Sequence, residues 1–151
     1  MEFAPQEVRT YFTTFSTQER RRIFQVTAHA ELMVATLMHY REQGSFALHS
    51  FVVMPDHLHL LITPAPDVSL EKSLQYVRGG FSFRLKSKMP VWERGHFDKR
   101  VPGHREYAAC VKYIHQNPVV ARMVERVEDY RFSSAELVMD EMPGWMRTTR
   151  G

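Results

Sequence analysis

Two histidines, His57 and His59, stand one residue apart in the stretch Met54-Pro55-Asp56-His57-Leu58-His59-Leu60-Leu61-Ile62. Side chains alternate across a strand, so residues two apart share a face. If this stretch is a strand, Leu58, Leu60 and Ile62 point into a core. His57 and His59 then point the other way together, with Leu61 beyond them. Two imidazoles on rigid backbone can hold one metal ion. A His-x-His also arises by chance, and a half-buried strand can simply carry two histidines on its wet face. A second pair is Tyr113 and Asn117, four apart on an expected helix and so stacked along one flank. Read locally, Tyr113 is a boundary aromatic whose hydroxyl reaches water, and Asn117 is an N-cap with Pro118 opening the next helix.

These candidates need elements to position them. Val8 to Phe15 is rich in aromatic and β-branched residues and reads as a strand. From Glu19 to Gln43, Ile23, Val26, Ala30, Met33, Val34 and Leu37 recur at helical spacing, which predicts an amphipathic helix ended by Gly44. Arg20-Arg21-Arg22 reads as a solvated helix start or loop, with phosphate contact as the sharper alternative. Phe46 to Met54 and His57 to Thr63 read as antiparallel strands joined by the Pro55-Asp56 turn. Ser69 caps a helix whose buried stripe is Leu70, Leu74, Val77, Phe81 and Leu85. Gly79-Gly80 within it costs roughly 1 kcal/mol per glycine relative to alanine, which implies close approach of another backbone or a kink. Val91 to Val101 reads as a fourth strand with an irregularity at Gly95. His104 to Gln116 reads as a third helix with Tyr107, Cys110, Val111 and Ile114 in its core stripe. Pro118 restricts Asn117, so this helix is expected to end there, with a short one over Val119 to Val124. The tail from Glu136 to Gly151 shows no firm pattern. The order β, α, β, β, α, β, α predicts an α+β sandwich. Its two long helices cover the Leu58, Leu60 and Ile62 face, and the histidine face is left for a site.

The chain has 151 residues, of which 44% are hydrophobic and 25% charged, as expected for one domain with its own core. That domain is expected over 1–151, with a core of about 8–135 and a tail of 136–151. No apolar run approaches a membrane span. The start, Met1 to Pro5, has neither the basic nor the apolar part of a signal peptide, so a cytoplasmic protein with no membrane partner is expected. Cys110 is the sole cysteine, which excludes an internal disulfide and a cysteine-based zinc site. The net charge of +3 and pI of about 9.2 suit a polyanion partner. On the helix after Ser69 the outer face carries Lys72, Arg78, Arg84, Lys86 and Lys88, with Glu71 the sole acid. With Arg94, Lys99 and Arg100 these are the candidate DNA contacts, although a charged run is usually only a solvated face.

Four segments in order carry a resemblance: Met54 to Leu61, then Trp92-x-Arg94-Gly95-x-Phe97-Asp98, then Tyr113-Ile114-His115-x-Asn117-Pro118-Val119, then Phe132-Ser133-Ser134-Ala135. Over roughly Val8 to Ala135 the chain resembles the REP-associated tyrosine transposases, within the single-tyrosine HUH transposases (His, hydrophobic residue, His). The resemblance implies a ferredoxin-like antiparallel sheet, with helices packed on one face and the tyrosine helix beside the histidine strand. It implies Tyr113 as nucleophile and His57, His59 and Asn117 as ligands of a divalent metal. The insertion-sequence branch commonly has glutamine at the third position. Here Gln116 falls one residue too early to share that face. The implied substrate is single-stranded DNA with a hairpin, cut through a covalent phosphotyrosine and rejoined without a nucleotide cofactor. Two imidazoles favour zinc, nickel or copper on softness. The resemblance implies Mg2+ or Mn2+, and that is the expectation, since a weakly held ion lets the phosphate in. Tyrosine's ordinary pKa of about 10 calls for a nearby cation or base. Glu106, seven residues earlier, is a weak candidate and more plainly an ion-pair partner. A monomer is favoured over a homodimer. The rivals are a replication-initiator or mobilisation nuclease, which usually carries further domains, and a simple metal-binding protein. The rival from another class is a non-catalytic single-stranded nucleic-acid-binding module that keeps the fold.

Overall fold

A computed structural model describes residues 8–147. Strand β1 (Thr10–Ser16) leads through an irregular stretch to helix α1 (Thr27–Glu42). Strands β2 (Phe46–Met54) and β3 (His57–Pro64) form a hairpin, followed by helix α2 (Leu70–Leu85). Strand β4 (Phe97–Val101), helix α3 (His104–Val120) and a short helix α4 (Gly144–Arg147) complete the order. The strands form one sheet in the order β2-β3-β1-β4, with every pairing antiparallel. This is the ferredoxin-like α+β arrangement that the resemblance implies.

The alternation of β3 sorts the molecule into two layers. Leu58, Leu60 and Ile62 are fully buried with Ala30, Met33 and Leu37 of α1 and Leu74, Val77 and Phe81 of α2. Ser69 caps α2 as expected, its hydroxyl accepting from the Lys72 amide at 3.0 Å. Gly44, at φ 77°, ends α1. Gly80 admits a close neighbour, which is a side chain and not a backbone: a Cβ there would lie 2.7 Å from the Tyr40 ring. Gly79 has open space.

Three expected boundaries move. Helix α1 begins at Thr27, not Glu19, and Val26 is 50% exposed. Glu19 and Arg20 sit at φ 56° and 54°, outside helical space. The amides of Thr17 and Phe24 donate to the carbonyls of Asp56 and Pro55, both at 3.0 Å, so this stretch braces the β2–β3 turn instead of coiling. Strand β4 begins at Phe97, not Val91. The Trp92 indole donates to the Arg78 carbonyl at 2.8 Å and its ring meets Phe15, Phe24 and Phe81, drawing this segment onto the core. Gly95, at φ 82°, then turns the chain into the strand. Helix α3 runs through Pro118 to Val120. Proline removes one amide but lies in the last turns, where Ala121 and Met123 still donate to Asn117 and Pro118 carbonyls at 2.9 Å. The Pro118 ring itself is buried.

The residues after Ala135 are also placed. Asp140 pairs with Arg41 at 2.9 Å and accepts from the Leu48 amide at 2.8 Å. Met146 is fully buried on the other face of the sheet with Val52, Met54, Leu61, Val101 and Ile114. No described helix is long and apolar enough to cross a membrane.

Candidate active site

His57 and His59 face away from α1 and α2, as the alternation requires. His59 lies opposite Thr14 on β1 and Val52 on β2, and His57 lies opposite Ser16 and Met54. Their ring centroids are 4.9 Å apart. Each ring is tied to the protein through Nδ1: His59 to the Thr14 hydroxyl and His57 to the Asp56 carboxylate, both at 2.7 Å. That holds the Nδ1 side and leaves Nε2 as the nitrogen available to a ligand. Asp56 is itself held by Arg20 at 3.1 Å. Burial pushes the Asp56 carboxyl up, but hydrogen bonds from His57 and Arg20 outweigh it and keep it below the ordinary carboxylate range. His59 is only 6% exposed, and burial, reinforced by the charge of His57, lowers its pKa to about 4. It is therefore neutral near pH 7.

Tyr113 reaches the same face from α3. Its ring meets His59 edge-on at 5.4 Å and Phe12 at 5.8 Å, while Phe12 stacks on His59 at 5.4 Å. Tyr113 is nevertheless 54% exposed, and its hydroxyl makes no hydrogen bond among the described residues. An exposed phenol fixed by two rings and free at its oxygen is suited to attack from solvent. Asn117 lies one turn further along α3 and is half-buried. Because α3 is unbroken there, the two keep the helical four-residue spacing. The described residues contain no cluster of three His, Cys, Asp or Glu side chains able to hold a metal. A third ligand beside the two imidazoles would have to come from another group, and two imidazoles with a neutral oxygen donor would suit a divalent ion.

Helix α3 is fastened by its opposite flank. His115 Nε2 lies 2.7 Å from the Ser134 hydroxyl, which in turn accepts from the Phe51 amide at 2.9 Å. The Phe132 carbonyl accepts from the Val53 amide at 2.8 Å. The segment Phe132 to Ala135 thus clamps the tyrosine helix to β2. Phe12, Thr14, Asp56 and this His115 clamp escape sequence reasoning, because they depend on register and helix docking. Only the Asp56-His57 adjacency was visible.

The basic residues do not gather on one surface. Lys72, Arg78 and Arg84 lie over the rings of Tyr76, Phe15 and Tyr40 at 5.4, 5.7 and 5.5 Å. Lys86 and Lys88 follow at the exposed end of α2, and Arg94 is exposed before Gly95. Lys99 pairs opposite Phe12 on the histidine face, whereas Arg100 pairs opposite Tyr11 on the other. Lys99 and Glu106 line an open hollow with Phe12 and Tyr113. Glu106 makes no ion pair among the described residues.

A ferredoxin-like sheet with two histidines on one strand and a tyrosine on a facing helix is the arrangement that the resemblance to the single-tyrosine HUH transposases implies. Residues 7–117 match the family described as "Transposase IS200 like", and the chain belongs to that family of DNA transposases. It is 26% identical over 138 residues to a Haemophilus influenzae protein named as a REP-associated tyrosine transposase, covering 82% of this chain and 78% of that one. Its fold is similar to that of a REP-associated tyrosine transposase bound to a REP hairpin (TM-score 0.76, 22% identity, 89% of this chain and 81% of that chain). A Deinococcus radiodurans structure described as a transposase is also similar (TM-score 0.53, 19% identity, 77% and 95%).

Proposed function

We propose that this transposase cuts and rejoins single-stranded DNA through a covalent bond between Tyr113 and phosphate. The observation that carries the reading is the packing of the exposed Tyr113 ring against His59, one of two imidazoles anchored through Nδ1. In the step, the Tyr113 oxygen bonds to phosphorus and the phosphorus–3′-oxygen bond breaks. The phenol proton is lost and the 3′ oxygen gains one, leaving a 3′-hydroxyl. The bond energy stays in the tyrosine ester, so attack by a 3′-hydroxyl rejoins strands with no nucleotide cofactor.

His57, His59 and Asn117 would hold a divalent ion, Mg2+ or Mn2+. When bound, such an ion withdraws charge from a nonbridging oxygen and orients the phosphate. This chain's own part is positional. Thr14 and Asp56 aim the imidazoles, burial keeps His59 neutral, and Phe12 limits where the Tyr113 ring can swing. Tyrosine and histidines meet within one chain, which supports action as a monomer. The hairpin bound by the fold neighbour supports a hairpin-bearing strand as partner. Lys72, Arg78, Arg84, Lys86, Lys88, Arg94, Lys99 and Arg100 are the proposed backbone contacts, of which Lys99 lines the hollow beside Tyr113. Charge reversals there should weaken binding in a salt-dependent way; an unchanged affinity and salt slope would refute the assignment.

The test uses labelled single-stranded DNA from around the protein's own gene, with manganese or with a chelator, on a denaturing gel. A manganese-dependent covalent protein–DNA band that vanishes in Tyr113→Phe establishes nucleophile and metal together. DNA binding with no band on any single-stranded substrate would make the protein a binding module.

A further inference from the structure

The hollow beside Tyr113 holds features that strand cleavage does not use. It encloses about 480 Å³ and is lined chiefly by apolar surface, including Phe12, Phe97, Cys110 and Tyr113, with Lys99 and Glu106 as its charged groups. That volume falls within the roughly 300–1,000 Å³ typical of sites for small ligands. Phe97 pairs opposite Thr14, which pairs opposite His59, and cross-strand partners share a face. Phe97 therefore stands on the histidine face, yet 60% of it is exposed, on the outermost strand of the sheet. An open phenyl ring, a neighbouring ammonium and an attacking tyrosine around one hollow match the parts of single-strand binding sites: an aromatic platform for a base and a cation for the backbone.

We propose that this hollow seats one unstacked nucleobase, from a nucleotide adjoining the phosphate that Tyr113 attacks, with the base against Phe97. The proposal rests on the assignment of Tyr113 as nucleophile. The charges orient the strand. The Glu106 carboxylate repels phosphate, so the backbone runs on the Lys99 side and the uncharged base fills the apolar interior. Seating the base draws the adjoining phosphate toward the tyrosine, so Phe97 acts as a positioning residue. Stacking on one aromatic ring is worth roughly 5- to 150-fold in affinity.

The test reads binding separately from cleavage. In a Tyr113→Phe background, single-stranded DNA from around the protein's own gene carries 2-aminopurine at successive positions. The expected result is quenched fluorescence on binding at a single position. Adding Phe97→Ala should relieve the quench and weaken binding 5-fold or more, and Phe97→Trp should preserve both. Circular dichroism melting confirms that Phe97→Ala, altered at an exposed site, remains folded. The same quench and affinity in Phe97→Ala would overturn the proposal. With Tyr113 intact, a covalent adduct without a Phe97-dependent quench overturns the base site alone. A Phe97-dependent quench without an adduct keeps the base site and overturns the phosphotyrosine reading. Absence of DNA binding overturns both.

Discussion

Under α1 and α2 the sheet presents Leu58, Leu60 and Ile62, all without solvent exposure, while the same strand's other face presents His57, His59 and Leu61. The first face is closed by two helices joined through an aromatic column: Tyr40 and Tyr76 stack at 5.4 Å, with Arg84 over one ring and Lys72 over the other. The second face is only partly covered. Helix α3, Met146 and the clamp at Ser134 close one side of it, and Tyr113, packed on Phe12 and His59, opens to solvent on the other. One face concentrates apolar burial, the main source of stability. The other uses polar groups for orientation and leaves Tyr113, the proposed nucleophile, accessible. A face filled like the first would exclude DNA, and a protein with two faces like the second would lack a core.

Substitutions that separate the two faces test this division. Tyr113→Phe should lower adduct formation by roughly 10³-fold or more while leaving unfolding free energy within about 0.5 kcal/mol. Leu60→Ala should do the reverse, costing about 2–5 kcal/mol in urea denaturation with cleavage per folded molecule retained. If Tyr113→Phe destabilised the fold or Leu60→Ala abolished cleavage, the division would fail. Ser134→Ala, at the clamp, should affect both. It leaves the Phe51 amide and His115 without their shared partner, at about 1–3 kcal/mol, and should slow cleavage by loosening α3.

The neighbouring glycines of α2 provide a finer test. Gly80→Ala drives a methyl into Tyr40, which is wedged between Tyr76 and Arg84, so a loss of about 1–3 kcal/mol is expected by thermal melting. Gly79→Ala meets open space and should stabilise by up to about 1 kcal/mol. The last test is of pH. Burial lowers the pKa of His59 to about 4 and holds those of His49 and His115 below 6.5, so the unfolded chain binds more protons once the pH falls below that value. Stability should be full above about pH 6.5 and decline as the pH drops toward the folded-state values. Urea midpoints at pH 7.5 and 5.5 measure this, and equal midpoints would refute it.

Where neighbours in the chain decide the outcome, the sequence was legible. The run Phe46 to Met54 appears as a strand with those bounds, Ser69 caps α2, Gly44 ends α1, and the alternation of β3 separates leucines from histidines. The joint presence of His57, His59 and Tyr113 was named only through the family resemblance, whose segments each lie within a few residues. Elements governed by distant partners were not legible. Glu19 to Val26 has helical spacing, yet its backbone is engaged by the turn at Pro55 and Asp56. Pro118 looks like a terminator, yet α3 runs past it to Val120 with the ring buried. Residues 136–142 show no periodicity, yet Asp140 is held by Arg41 and the amide of Leu48, nearly a hundred residues away in sequence. The sequence by itself determined which side chains could do chemistry and which strand carries the histidines, because those follow from residue type and a period of two. Only the tertiary structure decided that Thr14 and Asp56 aim those histidines, that Phe12 and Tyr113 stand against them, and that Phe97 opens beside them, because register and helix docking are set by contacts between segments that the chain order leaves far apart.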